Sequence, residues 1–320
     1  MKSFSNILSV IDPTAADQPA LHRAHWLAEH TGAELELLVC CYDEFITSQR
    51  LYDAPWMESE RAQVVAGHEK NLEELAQPLR ETGVLVKTTA VWDHPLYEGI
   101  VRHAKKSGAD IVMKDTHHHS VLARALFTNT DWNLIRTCPL PLWLVKPRDV
   151  VGKPTFIAAI DPMNEHDKPA SLDDEILQLG KLLSEKLSGE LHAFHSYDPR
   201  VMAATATAYA YTPISLPLDE FEKQMHDDHY ERFNEITSFH GVADNNTHLV
   251  SGLAHDELPR IAGAVGADVV VMGAVARNRW KRLFIGATAE RTLEHLPCDL
   301  LIVKPDWFKT PVDLVDHEAA

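Results

Sequence analysis

Apolar residues along this chain fall into short, nearly continuous runs and do not alternate with polar ones. In the first half the runs are Ile7–Ile11, Leu35–Cys41, Val84–Val91, Ile111–Met113 and Leu142–Val145, and the second half repeats them. Strands that read this way are buried on both faces, as in a parallel sheet covered by helices on either side. Between the runs the spacing turns helical: Ile176, Leu179, Leu183 and Leu187 recur at intervals of 3, 4 and 4, and Ala289, Thr292, Leu293 and Leu296 at 3, 1 and 3. Alternating strand and helix predict an α/β fold of the doubly wound kind. Its ligands bind beyond the carboxyl ends of the strands, where strand order reverses.

The pattern occurs twice. Gly108–Pro147 aligns with Gly266–Pro305 without a gap over 40 residues with 11 identities, opening on Gly-Ala-Asp and closing on Val-Lys-Pro. Ile11-Asp12-Pro13 and Ile160-Asp161-Pro162 close the first strand of each copy. The offset grows from 149 to 158, so the second copy holds about nine extra residues in between. Two homologous five-stranded domains are expected, at 1–150 and 151–306, joined near Pro147–Pro154 and followed by a tail at 307–320.

Composition narrows the function. The 320 residues include 30 Lys and Arg against 47 Asp and Glu, a formal charge of −17. That excess repels nucleic-acid backbones and anionic lipid, so neither nucleic acid nor a membrane surface is an expected partner. An apolar share of 45% and a charged share of 24% belong to a folded globular protein. The four cysteines, Cys40, Cys41, Cys138 and Cys298, have neither disulfide-framework nor zinc-ribbon spacing. With no signal-peptide h-region and no run of 18 apolar residues, the expected location is cytoplasmic.

The chemistry gathers in the second copy. Its fourth strand, Val269–Met272, runs into Gly273-Ala274-Val275-Ala276-Arg277, and Gly286-Ala287-Thr288 opens a helix after Leu283-Phe284-Ile285. Glycines let backbone N–H groups approach an anion, the helix N-terminus adds positive potential, and Thr288 offers a hydroxyl. Arg277, Arg279, Lys281 and Arg282 concentrate cations in an otherwise acidic chain, and phosphate is their natural counter-ion. As a bare pattern this also fits an ordinary turn with a solvated basic loop.

The stretch Gly273-x-x-Ala276-Arg277-x4-Arg282-Leu283-x2-Gly286-Ala287-Thr288-Ala289-Glu290 resembles the nucleotide loop of the universal stress protein (UspA) superfamily, Gly-x2-Gly-x9-Gly-Ser/Thr. Asp12-Pro13, Asp17-Gln18-Pro19-Ala20-Leu21, Thr130-Asp131-Trp132, Cys138-Pro139-Leu140-Pro141-Leu142-Trp143 and Lys304-Pro305 extend the likeness to the tandem E class over nearly the whole chain. The resemblance implies the adenine nucleotide alpha hydrolase-like fold and ATP or AMP at the strand ends of the second domain. Carried over, the binding residues are Asp161 near the adenosine, His192 and Ala193 near the base, and Gly273, Ala276, Arg277, Arg282, Gly286, Ala287 and Thr288 along the phosphates. Two departures stand out: Ala276 replaces the second glycine and Ala287 the Ser/Thr. The resemblance further implies an internal pseudo-dimer paired through Leu142–Lys146 and Leu300–Lys304, with the assembly a monomer or a homodimer.

The matching loop of the first copy, Asp115-Thr116-His117-His118-His119 through Phe127-Thr128-Asn129, has no glycine at a motif position and puts Asp115 before any phosphate. ATP is not expected there. His117–His119 raise a metal question. Adjacent side chains seldom converge on one ion and no further ligands follow, so no metal is expected, although His117, His119 and Asp12 could share the strand-end cleft. His192 and His195, three apart, should face opposite sides of a strand if it persists. Hydrolase, zinc-protease, P-loop and dinucleotide motifs are missing, so no catalytic residue is expected and the protein reads as a binding module, slow ATP hydrolysis remaining open. A second reading stays open as well. The uncharged stretch Val201–Leu218, with Leu51, Tyr52, Pro55, Trp56 and Met57, suggests an apolar cleft for an amphipathic, acyl-like metabolite or a protein partner.

Overall fold

Each apolar run of the first half becomes a strand, and those at Ile111–Met113 and Leu142–Val145 are buried throughout. The structure, a computed structural model, describes residues 4–43, 46, 56–119, 124–126, 128–148, 150, 152–163, 170–199, 218–274, 293 and 295–314. The first unit runs β1 (Asn6–Val10), α1 (Pro19–Thr31), β2 (Glu34–Cys41), α2 (Trp56–Glu81), β3 (Val86–Trp92), α3 (Leu96–Ser107), β4 (Ile111–Asp115), a hairpin of β5 (His117–His119) and β6 (Arg124–Leu126), α4 (Asn129–Thr137) and β7 (Leu142–Val145). The second runs β8 (Thr155–Ala159), α5 (Ala170–Lys186), β9 (Glu190–Tyr197), α6 (Leu218–His240), β10 (Thr247–Ser251), α7 (Ala254–Val265), β11 (Val269–Gly273) and β12 (Asp299–Val303). From Asp306 on, the chain rejoins the first unit. There Arg102, buried and held by both carboxylate oxygens of Asp93 at 2.6 and 2.8 Å, donates to the Asp313 carbonyl at 3.1 Å.

Apart from the antiparallel hairpin, the described strand pairings within each unit are parallel, in the order β7-β4-β1-β2-β3 in the first unit and β10-β9-β8-β11-β12 in the second. Numbered within each domain, both sheets read 5-4-1-2-3. Ile7, Leu35, Leu37, Ile111, Met113 and Trp143 fill the first core, and Phe156, Ile157, Val270 and Leu301 the second, all with at most 1% of their surface exposed. The hairpin of β5 and β6 stands where the sequence suggests only a loop; its register pairs His117 with Leu126 and His119 with Arg124.

The repeated Gly-Ala-Asp has a structural reason. Gly108 and Gly266 end α3 and α7 in the left-handed conformation, at φ 71° and 65°. The alanine after each is buried, and the aspartate reaches back to the start of the first strand. Asp110 Oδ2 accepts the N–H of Ser5 and Asn6 at 2.6 and 3.0 Å, and Asp268 Oδ2 accepts that of Thr155 at 2.8 Å.

Two glycines should respond differently to alanine. At Gly108 the cost is conformational, since a Cβ would meet nothing within 4 Å, and about 1 kcal/mol of lost stability is expected. At Gly189 a Cβ would lie 2.1 Å from the Pro154 carbonyl oxygen, where the ladder between β8 and β9 begins. Backbone must move there, so Gly189→Ala should lose about 2–4 kcal/mol in urea denaturation, the larger of the two losses.

Candidate functional site

The sheet order locates the site without reference to any motif. The first strand of each domain pairs with the second on one side and the fourth on the other, so the crossovers leave in opposite directions there and a crevice opens at the carboxyl ends. The residues that reach it are Asp12 and Asp115 in the first unit, and Asp161 and Gly273 in the second.

In the second unit the crevice is kept narrow by close packing. A Cβ on Gly273 would meet Leu172 Cδ2 at 2.6 Å and Ile176 Cδ1 at 3.3 Å, so α5 approaches the end of β11 only because no side chain stands there. The Asp161 N–H donates to Oδ1 of the buried Asp173, in the first turn of α5, at 3.1 Å. Lys304, buried just beyond β12, donates to the Ala274 carbonyl at 2.7 Å and so brings a fixed cation to the start of the loop. Sequence reasoning missed Lys304 and Asp173. A lysine before a proline reads as surface, and Asp173 reads as a helix-face acid; the only available signal was the repeated Val-Lys-Pro.

His192 and Ala193 are placed differently from the expectation. They lie inside β9, in register with Ile157 and Ala158 of β8, and the strand continues to Tyr197. Their backbone groups belong to the ladder, so the exit beside the crevice is formed by Tyr197 and Asp198. Ala276, Arg277, Arg282, Gly286, Ala287 and Thr288 lie outside the described residues, as does Val201–Pro217.

The strand persists, so His192 and His195 do face opposite sides, and each meets another imidazole. His195 Nδ1 lies 3.2 Å from the Ile160 carbonyl and its Nε2 lies 2.7 Å from His229 Nδ1 of α6. A carbonyl can only accept, so His195 carries its proton on Nδ1 and accepts at Nε2 from His229. Tyr197 stacks on His229 with centroids 4.6 Å apart, and all three rings are buried.

The first crevice holds the protein's own carboxylates. Asp115, at the position equivalent to Gly273, accepts the N–H of Ala20 at 2.5 Å and so caps α1. Asp131, fully buried at the third position of α4, completes a capping box with Thr128 and meets Lys114 Nζ at 2.8 Å. Lys114 also donates to the Asp115 carbonyl at 2.9 Å. Asp12 is occupied by its own turn, accepting the N–H and hydroxyl of Thr14 at 2.8 and 2.6 Å. Both helix N-termini that could greet an anion are thereby capped from within. Among the described residues no group of three or more His, Cys, Asp or Glu is placed to hold a metal ion.

Two consecutive doubly wound α/β units with crevices at their switch points define a tandem protein of the α/β class. The sequence profile described as the universal stress protein family matches residues 3–146 and again 168–304. The chain belongs to this family, a stress-response family, and carries its domain twice. It is 30% identical to universal stress protein E of Escherichia coli K12 over a 326-residue alignment covering 99% of each chain. A crystal structure of a functionally unknown protein from Pseudomonas aeruginosa PAO1 superposes with a TM-score of 0.71 at 27% identity, covering 95% of this chain and 94% of that one. A universal stress protein from Archaeoglobus fulgidus DSM 4304 shares the fold at a TM-score of 0.64 and 16% identity, over 93% and 98% of the chains. Among the described residues no helix is long and apolar enough to cross a membrane.

Two outcomes are expected from the first crevice. Burial pushes the Asp115 carboxyl up to about 7, with Asp17 and Asp12 adding to the rise and the Ala20 N–H and Lys114 opposing it. The unfolded chain then ionises this group before the folded one does, so its contribution to stability is lost as pH rises from about 4 to about 7. Asp115→Asn should therefore be more stable than the parent at pH 8, by at most about 4 kcal/mol, with the gap closing at pH 5 in urea titrations. Lys114→Met, which copies Met272, should cost about 3–5 kcal/mol by stranding Asp131. Adding Asp131→Ala, which copies Ala289, should restore much of that loss, as a double-mutant cycle would read.

Proposed function

We propose that this tandem universal stress protein is a binding module that takes one adenine nucleotide, ATP or AMP, in its second domain and none in its first. The contrast between the crevices carries the reading. Gly273 puts no charge at the end of β11 and lets Leu172 and Ile176 of α5 pack against it, whereas the equivalent Asp115, with Asp131 and Lys114, fills the first crevice with internal charge. In this reading Asp161 sits beside the adenosine, and the loop from Gly273 through Ala276, Arg277 and Arg282 to Gly286, Ala287 and Thr288 wraps the phosphates. The methyl of Ala276 is tolerated at negative φ, and the Thr288 hydroxyl stands in for the one missing at Ala287. The resulting affinity is weak.

Titration calorimetry with ATP and AMP tests this directly, with one site per chain expected. Gly286→Val should abolish that heat, and Lys114→Met with Asp131→Ala should leave it unchanged. Absence of heat at millimolar nucleotide would overturn the reading. In that event native mass spectrometry of protein purified from cells distinguishes an acyl-containing metabolite from a protein partner.

A further inference from the structure

The second histidine pair on β9 lies on the face opposite His195. Leu191 points at α5, where a Cβ on Gly180 would meet Leu191 Cδ1 at 2.9 Å, so His192 and Phe194 point to the other face, the side α7 covers. There His192 Nδ1 lies 2.9 Å from Nε2 of His248, on β10, the edge strand of this unit. The rings are parallel to within 6° and their centroids are 5.2 Å apart. That separation equals the N···N distance plus the radii of the two rings, so the nitrogens point at each other along one line. The arrangement is that of one N–H donated to one lone pair. Chelation of a cation would instead need both lone pairs to aim at a common point.

The surroundings make charge on this pair costly. Glu190 approaches His192 Nε2 to 3.9 Å and favours one proton there. Burial holds both imidazoles below the ordinary histidine range, and for His248 the neighbouring ring adds to the effect. On the β8 side His192 is in register with Ile157, which does not titrate. The titratable side chains of α7 pair among themselves, His255 with Asp256 at 3.7 Å and Arg260 with Glu257 at 2.6 Å. Among the described residues a second proton thus meets no counter-charge, and it places two cations nitrogen to nitrogen.

We propose that the His192–His248 pair is an acid-sensitive latch on the edge strand of the second unit: neutral, it ties β10 to β9, and doubly protonated, it drives the two strands apart. The linkage has a definite sign. A depressed folded-state value means the bond contributes fully above the ordinary histidine value of about 6.5, and its contribution is lost as pH falls from there through the depressed folded-state value. Opening then uncovers the backbone edge of β9.

Amide hydrogen exchange across Thr247–Ser251 in the full chain tests the latch. After correction for intrinsic rates, opening should rise about tenfold per pH unit for each proton taken up below pH 6.5. In His248→Gln, which keeps a polar side chain but does not titrate, the acid-dependent opening of the same amides should fall to at most the one proton of His192. A flat profile in the parent, or an equal acid response in the variant, would overturn the proposal. Histidine-selective NMR of the parent gives a reading independent of the variant's folding. Coupled titration of His192 and His248 below the ordinary value is expected, and independent titration at that value would refute it.

Discussion

Burial of each parallel sheet on both faces is the constraint from which the rest of the molecule follows. In a strand such as β4, with all five residues buried, an unmatched polar group along its length is costly, so polar chemistry is pushed to the strand ends, where backbone pairing stops. The same ends receive the N-termini of the following helices, whose free N–H groups need acceptors. Each domain therefore has to answer one question at its switch point: whether those donors are met by the protein or by something it binds.

The two copies answer it differently with a handful of substitutions. In the first, Asp115 and Asp131 supply the acceptors and Lys114 balances them. In the second, the corresponding residues are Gly273, Ala289 and Met272, and Lys304 donates to the Ala274 carbonyl. A duplicated fold is thus retained while its crevices diverge, because strand order and helix stops rest on the repeated Gly-Ala-Asp and the crevice rests on other residues.

Much of this was legible from the chain alone. The apolar runs anticipated the five strands of the first unit's parallel sheet to within two residues at either end, because a strand buried on both faces must be apolar nearly throughout. The uneven crevices were foreshadowed by the missing glycines of the first loop and by Asp115. Less legible were the residues whose partners lie far away in sequence. Lys114 and Asp131 are 17 positions apart, His192 and His248 are 56, and Arg102 and Asp313 are 211. The exit of β9 was misjudged for the same reason. Histidines within an apolar run look like a strand end until another imidazole is seen to satisfy them.

The sequence by itself determined that the chain is a duplicated, doubly wound α/β protein of the universal stress protein family, because burial pattern and glycine placement act locally and leave a periodic record. Only the tertiary structure decided which polar groups face one another. It showed the first crevice closed by its own ion pair, and β9 carrying a shared imidazole proton on each face. Such pairings depend on strand register and on which side of the sheet a helix returns to, and neither leaves a trace in the spacing of residues along one chain.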